Sequence, residues 1–198
     1  MSESTPDEVD AVAREQAERS MRAAHRPGMS AAGPYGRPFH PLLATVPVGA
    51  FVLTLAFDIA SLAVEGRLYG RAATWMSAIG VVSGVVAALF GLLDARRLTP
   101  GTRAHATATR HMLMMDVVLL CFVVAFFVRR ADEDQYLNGT PPLAVALSVI
   151  GVLVLVAGAW TGGRLAYSFG TRVADESDQW PAHVVTPPGE SSSSTSGE

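Results

Sequence analysis

The sequence contains no lysine; all 15 of its basic residues are arginines. Charge of either sign is scarce at 17% of residues, against about a quarter in a typical soluble domain. The single cysteine, Cys121, excludes an intrachain disulfide, and its place inside an apolar run marks it as a small apolar side chain. A net charge of −3 gives no bulk attraction to nucleic acid, and no nucleic-acid motif occurs. There is no phosphate-binding glycine loop, no Gly-x-Ser-x-Gly elbow and no Cys–His pairing, so nothing supports a hydrolase or a nucleotide-dependent enzyme, and the balance is against an enzyme. Cys-x-x-Cys and His-Glu-x-x-His are also missing, so no tight motif dictates a metal. The first 39 residues lack the apolar core of a signal peptide, which predicts that the first hydrophobic helix directs insertion.

Long apolar runs are what the chain does have. About 20 predominantly apolar residues cross a bilayer core, and four segments qualify: Pro41–Val64, Ala73–Leu93, Thr109–Val128 and Leu143–Gly163. No alternating β-barrel pattern is present, and helices are the other backbone solution in lipid. The expected fold is an all-α membrane protein, a four-transmembrane-helix bundle of two helical hairpins. A polar tail (1–35) precedes the membrane domain (36–173), and a tail rich in Pro, Ser and Gly (174–198) follows it. Residues 6–25 have the pattern of a charged helix with a thin apolar stripe.

Arginine placement predicts the orientation. Arg22, Arg26, Arg37, Arg96, Arg97, Arg103, Arg110, Arg164 and Arg172 fall on one side; Arg67, Arg71, Arg129 and Arg130 fall on the other. The richer side is expected to be cytoplasmic, with both termini there and Trp75 and Tyr136 at the outer interface.

A shift of 71 residues, without gaps, superposes the first hairpin on the second. His40 falls on His111, Phe51-Val52 on Phe122-Val123, and Gly91 on Gly162. Ser77-Ala78-Ile79-Gly80-Val81 falls on Ser148-Val149-Ile150-Gly151-Val152. The shift predicts two pseudo-symmetric hairpins in parallel, related by an axis along the membrane normal. His40 and His111 are then expected at one depth near the cytoplasmic boundary. Small residues recur as stripes, Gly80, Gly84, Ala87 and Gly91 in span two and Ser148, Gly151, Gly158 and Gly162 in span four, which permits close helix approach.

The opening Gly36-Arg37-Pro38-Phe39-His40-Pro41-Leu42-Leu43, followed by Pro47, Gly49 and Asp58, resembles the bacterial membrane family catalogued as domain of unknown function 2231. Gly91-Leu92-Leu93-Asp94, His111 and the closing Trp160-Thr161-Gly162-Gly163-Arg164-Leu165-Ala166-Tyr167 resemble its later elements. The family's pattern often has an Asn one turn after the third-span histidine, where this chain has Met115 and Asp116. The resemblance implies a four-helix fold in the bacterial plasma membrane and no established activity.

Ionisable residues inside a span are candidates for function, because lipid penalises them. Asp58 shares a face with Thr54 and Ser61, and could line a polar cavity or simply bond within the bundle. Asp116 shares a face with His105, Thr109 and Met112, while His111 points elsewhere. His40 could cap its helix, and Pro47 is expected to kink span one. Two histidines from different helices at one depth could axially ligate haem b, with Arg37 and Arg110 suited to its propionates. The set His40, His111, His105 and Asp94 could instead hold a metal ion.

Two functional classes stand on these residues. One is a haem-b-binding electron-transfer or redox-partner subunit. The other is a non-catalytic scaffold or assembly protein that packs on other membrane subunits, or on copies of itself, through its small-residue faces. A transporter resting on Asp58 and Asp116 is a weaker third. The orientation is checked by single-cysteine probes: positions 67 and 135 should label from outside and position 99 from inside, whereas outside labelling at 99 would reverse the topology.

Overall fold

The computed structural model describes residues 38–64, 66–131, 140–171 and 173, with 10–12, 14–16, 18 and 33 of the N-terminal segment. Arg37, Gln135, Tyr136, Arg172 and residues 174–198 lie outside the described residues, as do His25 and His183. Residues 10–12, 14–16 and 18 are helical and exposed, in line with a charged helix there.

Four long helices follow: α1 (Phe39–Ala63), α2 (Gly66–Ala95), α3 (Arg103–Ala131) and α4 (Pro142–Tyr167). All four are long and apolar enough to cross a membrane. α2, α3 and α4 contain their expected spans and extend beyond them, and α1 ends at Ala63, one residue short of its span. The difference is largest in α2, which starts seven residues before Ala73 and so carries Arg67 and Arg71 on its first turns. Hydropathy marks where hydrocarbon ends, whereas a helix can continue through the interface with its backbone bonds intact. α4 begins with proline at its first position, where a missing N–H costs nothing. α1 runs continuously through Pro47, whose ring is buried. Pro47 therefore ends no helix, although its missing N–H frees the carbonyl one turn earlier.

Packing is closest within each hairpin, α1 on α2 and α3 on α4. α2 meets α3, and α1 meets α4, more sparsely. The helices thus form a ring in which α1 and α3 stand diagonally opposite and reach each other through long side chains. One end of the bundle carries the α1–α2 and α3–α4 connections (the loop end); the other carries the tails and the α2–α3 turn (the tail end).

Only a narrow inner face of each helix is buried, and large apolar side chains such as Leu42, Trp75, Val82 and Leu153 face outward. A soluble bundle would bury that surface; in lipid it is the solvated face. The mid-bundle core is Phe51, Val118, Phe122 and Leu155. Phe51 and Phe122 stack across the axis, ring centroids 4.0 Å apart and planes 16° from parallel.

The small residues of α2 and α4 make room for these rings. A Cβ at Gly80 would stand 2.7 Å from Phe51 Cδ1, and one at Gly151 would stand 2.7 Å from Phe122 Cε2. No side chain larger than hydrogen fits either place without moving a ring. Gly80→Leu and Gly151→Leu should therefore each destabilise the bundle by about 1–3 kcal/mol, the usual cost of overpacking. Gly49→Ala, with nothing within 4 Å of the new methyl group, should leave the thermal midpoint in detergent unchanged.

Candidate functional site

Near the tail end, His40 of α1 and His111 of α3 meet across the axis, ring centroids 6.3 Å apart and planes 81° from parallel. Each ring is held by its own hairpin. His40 Nδ1 lies 2.8 Å from the Ala87 carbonyl, 47 residues on. His111 Nδ1 lies 2.9 Å from the Gly158 carbonyl, also 47 residues on. A carbonyl only accepts, so in each neutral ring Nδ1 carries the hydrogen and Nε2 keeps a lone pair. The Cε1–Nδ1 edge of His40 rests on Gly91, and that of His111 rests on Gly162, at 2.9–3.1 Å from where a Cβ would stand. His40 is thus no helix cap: it spans its hairpin, and α1 starts without a side-chain cap.

Near the loop end the same two helices meet again, with different chemistry. Arg129 of α3 donates through Nη2 to Asp58 Oδ2 of α1 at 2.5 Å and to Ser148 Oγ of α4 at 2.8 Å. Both charged side chains are 0% exposed. Asp58 Oδ1 and Arg129 Nε and Nη1 have no hydrogen-bond partner among the described residues. Beside the pair, the Ser61 hydroxyl donates to the Asp58 carbonyl and lies 2.8 Å from the Thr140 hydroxyl, and the Thr140 N–H donates to Ser61 Oγ.

The buried polar side chains of the described residues, among them Thr54, Asp58, Ser77, Arg129 and Ser148, all lie in the loop-end half. A buried ion pair is costly unless its charges are mutually satisfied, and breaking one leaves a bare charge in low dielectric. Asp58 therefore bonds within the bundle, the simpler of its two expected roles, and Arg129 is its counter-ion.

The three axial pairs share one arithmetic. Asp58 and Arg129 are 71 residues apart. His40 and His111, and Phe51 and Phe122, are separated by the same interval. Arg129 is the ion-pair partner that charge counting does not single out, since it stands next to Arg130 near the end of α3. The signal that could have found it is the shift itself, which sets Arg129 on Asp58.

The remaining candidates are more scattered. His105 is half-buried in the first turn of α3, Asp94 half-buried near the end of α2, and Arg110 exposed. Among the described residues no three His, Cys, Asp or Glu side chains gather into a group that could hold a metal, so His105 and Asp94 do not join the histidine pair in one cluster. Asp116 faces outward from α3, away from the axis.

A family described as predicted membrane protein, domain of unknown function 2231, matches residues 36–175, from just before α1 to just beyond α4. The chain belongs to that family. No curated protein and no solved structure matches it. For this member of the domain of unknown function 2231 family, the match covers every axial pair described above and all four candidate membrane spans. The buried ion pair gives a direct stability test. Arg129→Ala should cost about 3–5 kcal/mol by leaving Asp58 unpaired. Arg130→Ala, one residue on and exposed, should stay within about 0.5 kcal/mol in the same detergent melts.

Proposed function

We propose that this protein is a haem-b-carrying electron-transfer subunit, whose haem His40 and His111 would hold. The observation that carries the reading is the matched anchoring of the two rings by backbone carbonyls on separate hairpins. Ligating histidines characteristically donate their other N–H to such an acceptor, which fixes the tautomer and leaves Nε2 as the ligand atom. The two rings also stand close together, 6.3 Å between centroids, so that one bound group could be held by both. Bound haem supplies one-electron exchange; this chain supplies two neutral imidazoles and, at the same end, the exposed Arg110 for a propionate. Arg37 would serve alike.

The reading includes an internal duplication, in which two parallel hairpins are related by a pseudo-two-fold axis. Three axial pairs at one interval and two ring anchors at another support it. It also places both tails in the cytoplasm of a bacterial plasma membrane, flanking the membrane domain as residues 1–35 and 174–198. Since Arg129 is taken up by Asp58, the loop end keeps only Arg67, Arg71 and Arg130, and the arginine bias toward the tail end strengthens.

The scaffold alternative draws less support. Its binding surface was to be the glycine stripes, and Gly80, Gly91, Gly151, Gly158 and Gly162 are filled by Phe51, His40, Phe122, Met115 and His111 of the same chain.

Protein purified after expression with haem supplied should show a Soret band at roughly 400–430 nm, as expected for a haem iron held by histidine. His40→Ala and His111→Ala should each remove most of that band, and His105→Ala should remove little. Colourless wild-type protein under these conditions would end the haem reading.

A further inference from the structure

Asp116 is a second intramembrane carboxylate, and the bundle does not use it. It is exposed on α3, and no described residue bonds to it. On the same outward face stand Leu113, Val117, Leu120 and Phe127, exposed by 60%, 45%, 63% and 64%. Six residues separate Asp116 from Arg110, the last arginine before the apolar run, which is about 9 Å along the helix. A carboxylate on a single methylene cannot bridge that distance to the interface, whereas long arginine side chains can snorkel. Acidic residues inside spans otherwise face the bundle interior or a partner group, because lipid solvates them so poorly.

We propose that this outward face of α3 is a docking surface for the transmembrane helix of another membrane protein, one that presents a basic side chain at the depth of Asp116. The occupant is fixed by charge. A second copy of this chain brings no free cation inside its apolar spans among the described residues: Arg129 is buried on Asp58, His40 and His111 each bond within their own hairpin, and Arg110 stands about 9 Å nearer the tail end than Asp116. A two-fold contact between copies through this face would instead oppose Asp116 to Asp116, which lipid makes more costly than either alone. The apolar residues around Asp116 supply the packing surface, and the carboxylate supplies register and selectivity, since one polar contact fixes the depth of the partner. The inference does not depend on what the histidines bind.

The test uses the full chain in phosphatidylcholine vesicles, with labelled synthetic Leu/Ala helices of about 20 residues. Three peptides carry Arg, Gln or Leu at the depth matching Asp116, and association is read by energy transfer. The Arg peptide should bind roughly tenfold more tightly than the Leu peptide, with Gln between, as expected for an interhelical polar contact in lipid. Asp116→Asn and Asp116→Leu should erase the preference for Arg while leaving the thermal midpoint at the wild-type value. Equal binding of the Arg and Leu peptides, or an Arg preference that survives Asp116→Leu, overturns the proposal. Self-association of the wild-type protein that Asp116→Leu abolishes also overturns it, in favour of a second copy as the occupant.

Discussion

A carboxylate and a guanidinium shut away from both water and lipid set the terms for this bundle. Asp58 and Arg129 sit on helices that stand diagonally opposite and whose backbones hardly approach. Neither charge can be left alone at that depth, so the two hairpins must come together with α1 and α3 in one relative height. Ser148 adds a third helix to the same knot through the Arg129 Nη2 group. Apolar packing cannot supply such a constraint here, because lipid tails solvate leucine and valine as well as a neighbouring helix does.

With that height fixed, the rest of the axis falls into place. The Phe51–Phe122 stack lies about 10 Å further along, seven residues on each helix, and the histidine pair lies about 16 Å beyond it. Between them the interior changes character. Hydroxyls and charges occupy the loop-end half, aromatic and branched side chains fill the middle, and two imidazoles stand near the tail end. Glycines on α2 and α4 admit the rings of α1 and α3, so the helices that carry chemistry are seated on helices that carry space.

Much of this was legible in the residues. Four spans follow from apolar length alone, and each coincides with one observed helix to within a residue or lies inside it. The 71-residue shift sets His40 on His111 and Phe51 on Phe122, because both pairs match like with like, but equal depth does not tell that the rings meet. Arg129 escaped for a physical reason. Comparing a chain with itself rewards identity, and a charge pair consists of opposites. Helix ends were also blurred, since hydropathy reports the hydrocarbon boundary while α2 continues past it with Arg67 and Arg71 in the interface. Nor could the sequence tell which way Asp116 faces, because its helical face borders both the axis and the lipid. The hydrogen bonds of the histidine rings were beyond reach as well, since their acceptors are backbone carbonyls, which every residue has.

The charge pair has one more consequence, for recognition of self. Under the two-fold relation proposed above, a first hairpin set against another first hairpin would still bring histidine to histidine and phenylalanine to phenylalanine. Only the third meeting would change, to aspartate against aspartate; two second hairpins would oppose arginine to arginine. Two of the three axial contacts cannot distinguish a chain's own other half from a neighbour's like half, and the third does. In a membrane crowded with newly made copies, each first hairpin is complementary at that level only to a second one. With a connection as short as residues 96–102 between α2 and α3, the second hairpin at hand is the chain's own.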